Sequence, residues 1–270
     1  MDKTYSPALD AAAAKLAAAE NERDAVLLRL IADGVEIASR DIYIDESVQI
    51  APGARILPGC ILRGNTVIGP GCVIGPNALI EDSTIGASST VNASQVYASH
   101  IGEDNAIGPY THIRAGTVTD YGVHLGAYVE TKNSNFACGN TVSHLTYIGD
   151  ADVGKYCNFG CGTVTCNYDG ESKYRTAIGD YCFIGCNTNL VAPVTVGDGA
   201  YTAAGSTITG DVPAGALGIA RQRQTNLDGW AEPKMEKYIA KKQALEDAHR
   251  AAHEQAADEA GANEADKAQK

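Results

Sequence analysis

Ile44-Asp45-Glu46-Ser47-Val48-Gln49-Ile50-Ala51-Pro52-Gly53-Ala54-Arg55-Ile56-Leu57-Pro58-Gly59-Cys60-Ile61-Leu62 places a branched aliphatic at every sixth residue. The step continues through Ile68, Ile74 and Ile80. The phase slips by one at Ile85, resumes through Val91, and slips again at Val96 and Ile101. It then runs through Ile107, Ile113, Thr119, Leu125 and Thr131. Phe136, Val142, Ile148, Val153 and Phe159 follow, and a last register takes in Ile178, Ile184, Leu190, Val196, Thr202 and Ile208. A period of six is neither the 3.6 of an amphipathic helix nor the alternation of a single strand. A short strand plus a turn in each unit puts every aliphatic at the same inward position. Three units close a triangular coil of about 18 residues, and successive coils stack at the sheet spacing of roughly 4.8 Å. The period thus predicts an all-β parallel β-helix with aliphatic ladders along its axis. The small residue four positions on (Ala54, Cys60, Cys72, Ala78) is expected at a tight corner, and the one-residue slips are expected to be shortened corners.

Composition agrees. Aromatics make up 6% of the chain and glycines number 29, which suits a core of medium aliphatics. The formal net charge of −12 argues against nucleic acid or an anionic membrane as a bulk partner. No apolar run approaches the roughly 20 residues that span a bilayer, and Met1 leads into a polar segment with no secretory signal. The eight cysteines form no C-x-x-C pair and read as buried fillers of a reduced, cytoplasmic protein.

The ends follow a different pattern. Ser6-Pro7 can open a helix, Gly34 can close it, and Val26, Leu27, Leu30 and Ile31 mark its apolar stripe. A second helix is expected near Pro233, with Met235, Tyr238, Ile239 and Leu245 on one side. Beyond about Gln255 little remains to bury, which predicts a frayed tail. The expected organisation is a helical segment over 1–40, the β-helix over 41–230, and a helix with a tail over 231–270.

The hexapeptide rule lapses between Phe159 and Ile178. Gly160 to Thr176 reads as a loop pushed out of the coil, rich in Asn, Tyr, Lys and Arg. Just before it lies Ser143-His144-Leu145-Thr146-Tyr147, in which His144 is two residues past a ladder position and faces away from the axis.

From about Ala25 to Trp230 the sequence resembles the C-terminal acetyltransferase domain of the bifunctional bacterial enzyme that makes UDP-N-acetylglucosamine. Ile113-Arg114-Ala115-Gly116, Glu130-Thr131-Lys132, His144-Leu145-Thr146-Tyr147-Ile148-Gly149-Asp150-Ala151, Thr165-Cys166-Asn167-Tyr168-Asp169-Gly170, Leu190-Val191-Ala192-Pro193-Val194-Thr195-Val196 and Gly229-Trp230 carry the likeness. The resemblance implies a left-handed coil, a handedness that periodicity leaves open because ordinary crossovers are right-handed. It implies acetyl transfer from acetyl-CoA to glucosamine-1-phosphate, with His144 as general base oriented by Glu130. Arg114, Lys132 and Lys173 would hold the sugar phosphate, and Tyr147, Asn158 and Asn167 the sugar. Cys161, Asn167, Tyr168, Cys186, Ala204 and Arg221 occupy the family's acetyl-CoA positions. A homotrimer with sites between subunits, and no metal, complete the expectation. The chemistry suits these residue types. An imidazole titrating near neutrality can take the ammonium proton, and a fork of cations suits a phosphate monoester.

The sequence departs from that family in lacking a nucleotide-binding domain, so uridylylation is expected of a separate uridylyltransferase. Cys186 stands where Ser is frequent, Cys161 where Ala is usual, and Arg114-Ala115 replaces Arg-Pro. Three other readings compete. They are acetylation of another amino sugar, a non-catalytic scaffold, and a zinc-dependent carbonic anhydrase drawing on His100, His112, His124 and His144.

Overall fold

A computed structural model describes residues 7–268, with side chains from Ala8 to Ala251. Its strands are mostly two or three residues long and pair in parallel with the coil before and the coil after. They build a left-handed parallel β-helix of about 10 turns. The first face carries Ile56, Ile74, Val91, Ile107, Leu125, Val142, Phe159, Ile184 and Thr202 in one file. The second carries Ile44, Leu62, Ile80, Val96, Ile113, Thr131 and Ile148. The third carries Ile50, Ile68, Ile85 and, further along, Phe136, Val153, Ile178 and Val196. Each of these side chains is buried. Apolar side chains removed from water contribute about 1.5–3 kcal/mol each, so the ladders supply the main stabilising term.

The small residues expected at corners point inward instead. Ala54, Cys60, Cys72 and Ala78 are at most 1% exposed and form a second file two residues before each aliphatic. Where this inward residue carries a donor, it hydrogen-bonds into the next coil. The Cys72 thiol donates to the Gly86 carbonyl (3.0 Å), Ser89 Oγ to the Gly102 carbonyl (2.8 Å) and Thr111 Oγ1 to the Gly126 carbonyl (2.8 Å). Each gives a carbonyl of the next coil a side-chain partner.

The slips are shortened corners. In the five-residue steps the chain turns at Asp82, Ala93, Ala98, Asn133 and Asp150, each with positive φ and each two residues past a ladder position. The apparent lapse is shorter than the spacing predicts. Thr165 continues the second ladder and Val164–Cys166 is a strand, so only 167–175 leaves the coil.

The first helix, Pro7–Ala32, ends as expected at Gly34, which has φ +90°; the Val35 amide closes back on the Leu30 carbonyl at 3.0 Å. Leu27 and Leu30 join the ladder core, Val26 packs against it, and Ile31 is 49% exposed. Ser6 lies outside the described residues. Two compact units divide at Arg221, earlier than the expected 230, and the first strand (Glu36–Ile37) precedes residue 41. The second unit contains the helix Glu232–Ala268, on which Met235, Tyr238, Ile239 and Leu245 are exposed. The helix runs on to Ala268, past Gln255, where a frayed tail is expected; its side chains beyond Ala251 lie outside the described ones.

Candidate functional site

Two strands are longer than all the rest, His124–Lys132 and Thr141–Gly149. Each runs along the first face, turns the corner at a residue with positive φ (Tyr128, Leu145) and continues along the second face. They pair along their length, with Ala127 beside His144, Glu130 beside Tyr147 and Lys132 beside Gly149. His144 and Lys132 therefore stand at the two ends of the second face, five residues apart in register around the corner at Tyr128 and Leu145. Glu130 and Tyr147 occupy the space between them. His144 is exposed, in register with Ala127 and just before the corner at Leu145.

The far edge gathers cations. Arg114 lies one coil below Lys132, its amide bonded to the Thr131 carbonyl at 2.9 Å. Lys173 arrives from the loop. Its ammonium lies beside that of Lys132, and together with the Arg114 guanidinium it holds the Lys132 pKa below the usual range. Glu130 is the acid of this edge, and its Oε1 accepts from Arg114 Nη1 at 2.8 Å. Among the described residues, no hydrogen bond joins Glu130 to His144.

The loop is pinned at both ends. Asn167 Nδ2 donates to Asp150 Oδ2 and Asn133 Nδ2 to Asp150 Oδ1, making a stack over three coils. Burial alone would raise the Asp150 pKa. The two amides, with Lys173 and Arg175 nearby, outweigh it and hold the carboxyl below the usual range. Arg175 grips Asp152 with Nε (2.7 Å) and Nη2 (2.6 Å), and Nη2 also reaches the Ala151 carbonyl. The tip is turned by Asp169, whose Oδ1 accepts from the amides of Glu171 and Ser172.

A third feature starts at His144. Val142 pairs with Phe159, Phe159 with Ile184, and Ile184 with Thr202. Two residues further on, the same register stacks His144, Cys161, Cys186 and Ala204 on one edge. The Gly162 amide bonds the Leu145 carbonyl, that of Asn187 the Cys161 carbonyl, and that of Gly205 the Cys186 carbonyl, each at 2.8 Å. Arg221 lies at the end of this column, near Gly205. No side chain between His144 and Arg221 in the column is larger than Cys, so the edge offers a slender track that begins at an imidazole and ends at a cation.

Residues 44–148 match the GMPPB C-terminal domain, and 175–210 match the bacterial transferase hexapeptide (six repeats). Over these stretches the solenoid is similar to hexapeptide-repeat transferases. Its relatives include the bifunctional protein GlmU of Clostridium beijerinckii, 53% identical over 141 residues, and that of Clostridium perfringens (strain SM101), 54% identical over 141 residues. Each alignment covers 52% of this chain and 31% of the relative, so the chain matches about a third of the length of these proteins. Among solved structures, the UDP-N-acetylglucosamine acyltransferase from Campylobacter jejuni is 15% identical with a TM-score of 0.33, covering 68% of this chain and 75% of that one.

As a hexapeptide-repeat protein, the chain distributes its candidate residues over distinct faces. Arg114, Glu130, Lys132, Tyr147 and Lys173 share the second face and its far edge, while Cys161, Cys186, Ala204 and Arg221 share the column above His144. Asn158 sits on the first face beside Thr141 and Phe183, around the corner from Tyr147. Asn167 is buried with its amide committed to Asp150, and the Tyr168 hydroxyl donates to the Gly170 carbonyl. His100, His112 and His124 lie in strands on three different faces. Sequence reasoning assigned no role to Asp150, Asn133, Asp152 or Arg175. The 17-residue spacing of Asn133, Asp150 and Asn167 is the signal that could have linked three of them.

Proposed function

We propose that this chain transfers the acetyl group of acetyl-CoA to the amine of glucosamine-1-phosphate, within UDP-N-acetylglucosamine biosynthesis. The observation that carries this reading is the cluster of Arg114, Lys132 and Lys173 at one edge of a face whose other edge is His144. Three cations with one bonded carboxylate among them suit a dianionic phosphate monoester. The track from His144 past Cys161, Cys186 and Ala204 to Arg221 suits the extended thiol arm and phosphates of the donor. The relatedness to GlmU proteins supports the same reading.

In this mechanism Arg114, Lys132 and Lys173 hold the acceptor by its phosphate, and Tyr147 contacts the sugar. The acceptor amine must shed a proton to attack the thioester carbonyl. His144 takes that proton as the C–N bond forms, and returns it to the departing CoA sulfur as the C–S bond breaks. Acetyl-CoA supplies the activated acyl group, and the residues named need no metal for these steps. We further propose a cytoplasmic homotrimer in which the corner of one subunit meets a face of the next. Such an arrangement gives Asn158 a place beside a neighbour's second face, which it lacks within one chain.

The test is acetyl-CoA-dependent turnover of glucosamine-1-phosphate, followed by mass detection of the product, for wild type and His144→Ala. The expected result is wild-type turnover and a loss of about 10²–10⁴-fold in kcat for the variant. A folded wild-type protein inert toward this acceptor overturns the reading.

A further inference from the structure

We infer that Asp150 is a positioning residue for the phosphate end of the acceptor site, its carboxylate holding the loop so that Lys173 stands against Lys132. This rests on the acceptor reading of the cation cluster. The geometry is a closed circuit. The Asp150 amide donates to the Lys132 carbonyl (2.9 Å), and its carbonyl accepts from the Thr176 amide (3.0 Å), where the loop re-enters the coil. Its Oδ2 holds Asn167, where the loop leaves, and its Oδ1 holds Asn133 beside Lys132. One residue, 5% exposed, thus fixes both feet of the loop and the strand end that carries Lys132.

The charge is as important as the contacts. Two ammonium groups side by side repel, and Glu130 is already bonded to Arg114. Asp150 is the carboxylate that faces both lysines, and Arg175 is the other cation near it. It lets Lys132 and Lys173 stay close and protonated before a ligand arrives. Both carboxylate oxygens are occupied by side-chain amides, so Asp150 compensates the lysines without a direct ion pair that a phosphate would have to break. The loop is preorganised for an anion by a buried charge beneath it.

The conformation of Asp150 makes a clean test possible. Its φ is +49°, a region that Asn tolerates at least as well as Asp, so Asp150→Asn removes the charge with little backbone penalty. The expected result is a rise of about tenfold in the acceptor KM, the size of one charge-assisted contact. kcat and the acetyl-CoA KM should stay within about twofold, since both report on the His144 edge of the face. A general loss of structure would move all three. The decisive comparison is Asp150→Asn in a Lys173→Ala background, where the substitution should add nothing further to the acceptor KM. Asn167→Ala, which cuts only the link to the loop, should reproduce the effect and serves if Asp150→Asn does not fold. An acceptor KM that is unchanged or lowered, or that rises equally in the Lys173→Ala background, overturns the inference. Calorimetric titration of the full chain with inorganic phosphate separates this from the functional reading. If wild type binds phosphate yet does not turn over glucosamine-1-phosphate, the functional reading falls and the cycle is read on the phosphate Kd. If wild type neither binds phosphate nor turns over glucosamine-1-phosphate, both fall.

Discussion

Arg114 and Glu130 are bonded across adjacent coils, Nη1 to Oε1 at 2.8 Å, with side chains 41% and 39% exposed. In this arrangement Glu130 serves the cation edge, three residues along the strand from the register position of His144. Glu130→Gln should therefore behave as a binding variant. An exposed ion pair contributes under about 1 kcal/mol, so thermal stability should barely move. The acceptor KM should rise about threefold to tenfold through a less firmly held Arg114, with kcat and its pH profile unchanged. A fall in kcat of a hundredfold or more, with a displaced pH profile, would instead assign Glu130 to orienting His144 as the resemblance implies. Steady-state kinetics against pH decides.

The placement of His144 depends on a glycine in the neighbouring coil. A Cβ added to Gly126 would lie 2.2 Å from the Ser143 carbonyl oxygen, with the rest of the Ser143 backbone close behind. Backbone cannot swing aside as a flexible side chain can. Gly126→Ala should push Ser143, and with it His144, out of register, at a cost of about 1–3 kcal/mol in stability. Activity should fall by more than stability explains, because an imidazole displaced by a fraction of an ångström loses its proton-transfer geometry. Denaturant melts and kcat measured on the same preparation check this. A variant with wild-type kcat would show that the two long strands do not set the position of His144.

Much of this architecture is legible in the sequence, and what is hidden has a physical cause. The ladder from Ile44 to Ile208 can be read because an inward position tolerates only a narrow set of side chains and repeats in every coil. The shortened corners can be read from the slips, since a missing residue displaces every later ladder position. Ala54 and Cys72 read as corner residues because small size is shared by corners and by residues facing a crowded interior; their complete burial distinguishes them in the fold. The loop reads longer in the sequence than in the fold because Thr165 fills a ladder position with a hydroxyl. Asp150 escaped because its importance comes from Asn133 and Asn167 lying above and below it, a property of the stack rather than of any local motif.

The carboxylates beneath the loop couple stability to pH. The pKa of Asp150 lies below its ordinary value through the amides and cations that outweigh its burial, and that of Asp152 does so through the Arg175 guanidinium. A folded pKa below the unfolded one, about 3.9, stabilises the fold fully above that value and ceases to as pH falls through the folded pKa. The melting temperature of wild type should thus be flat from neutral pH to about pH 5 and drop below about pH 4. An Asp150→Asn, Asp152→Asn double variant should melt lower at neutral pH and lose less on acidification, so that the two curves converge. Parallel curves would mean that neither carboxylate is held more tightly in the folded state.

Thiol reactivity offers a direct measure of the column above His144. Cys186 is the exposed one of the eight cysteines, while Cys60, Cys72, Cys157 and Cys182 are buried. Burial pushes all four buried thiols up, Cys157 to about 12, and it is the thiolate that reacts. N-ethylmaleimide should therefore modify Cys186 first, with the buried four inert until the protein unfolds. If the donor lies along Cys161, Cys186 and Ala204, acetyl-CoA at ten times its Kd should slow Cys186 alkylation about elevenfold, in proportion to the free fraction. Cys138 and Cys166, half-buried and outside the column, provide the internal control and should keep their rates. Peptide mapping by mass spectrometry follows each site separately. Protection confined to Cys186 and Cys161 would place the donor on this edge. Undiminished labelling of Cys186 in an enzyme that still turns over would place the donor elsewhere, and the role given to Ala204 and Arg221 would fall with it.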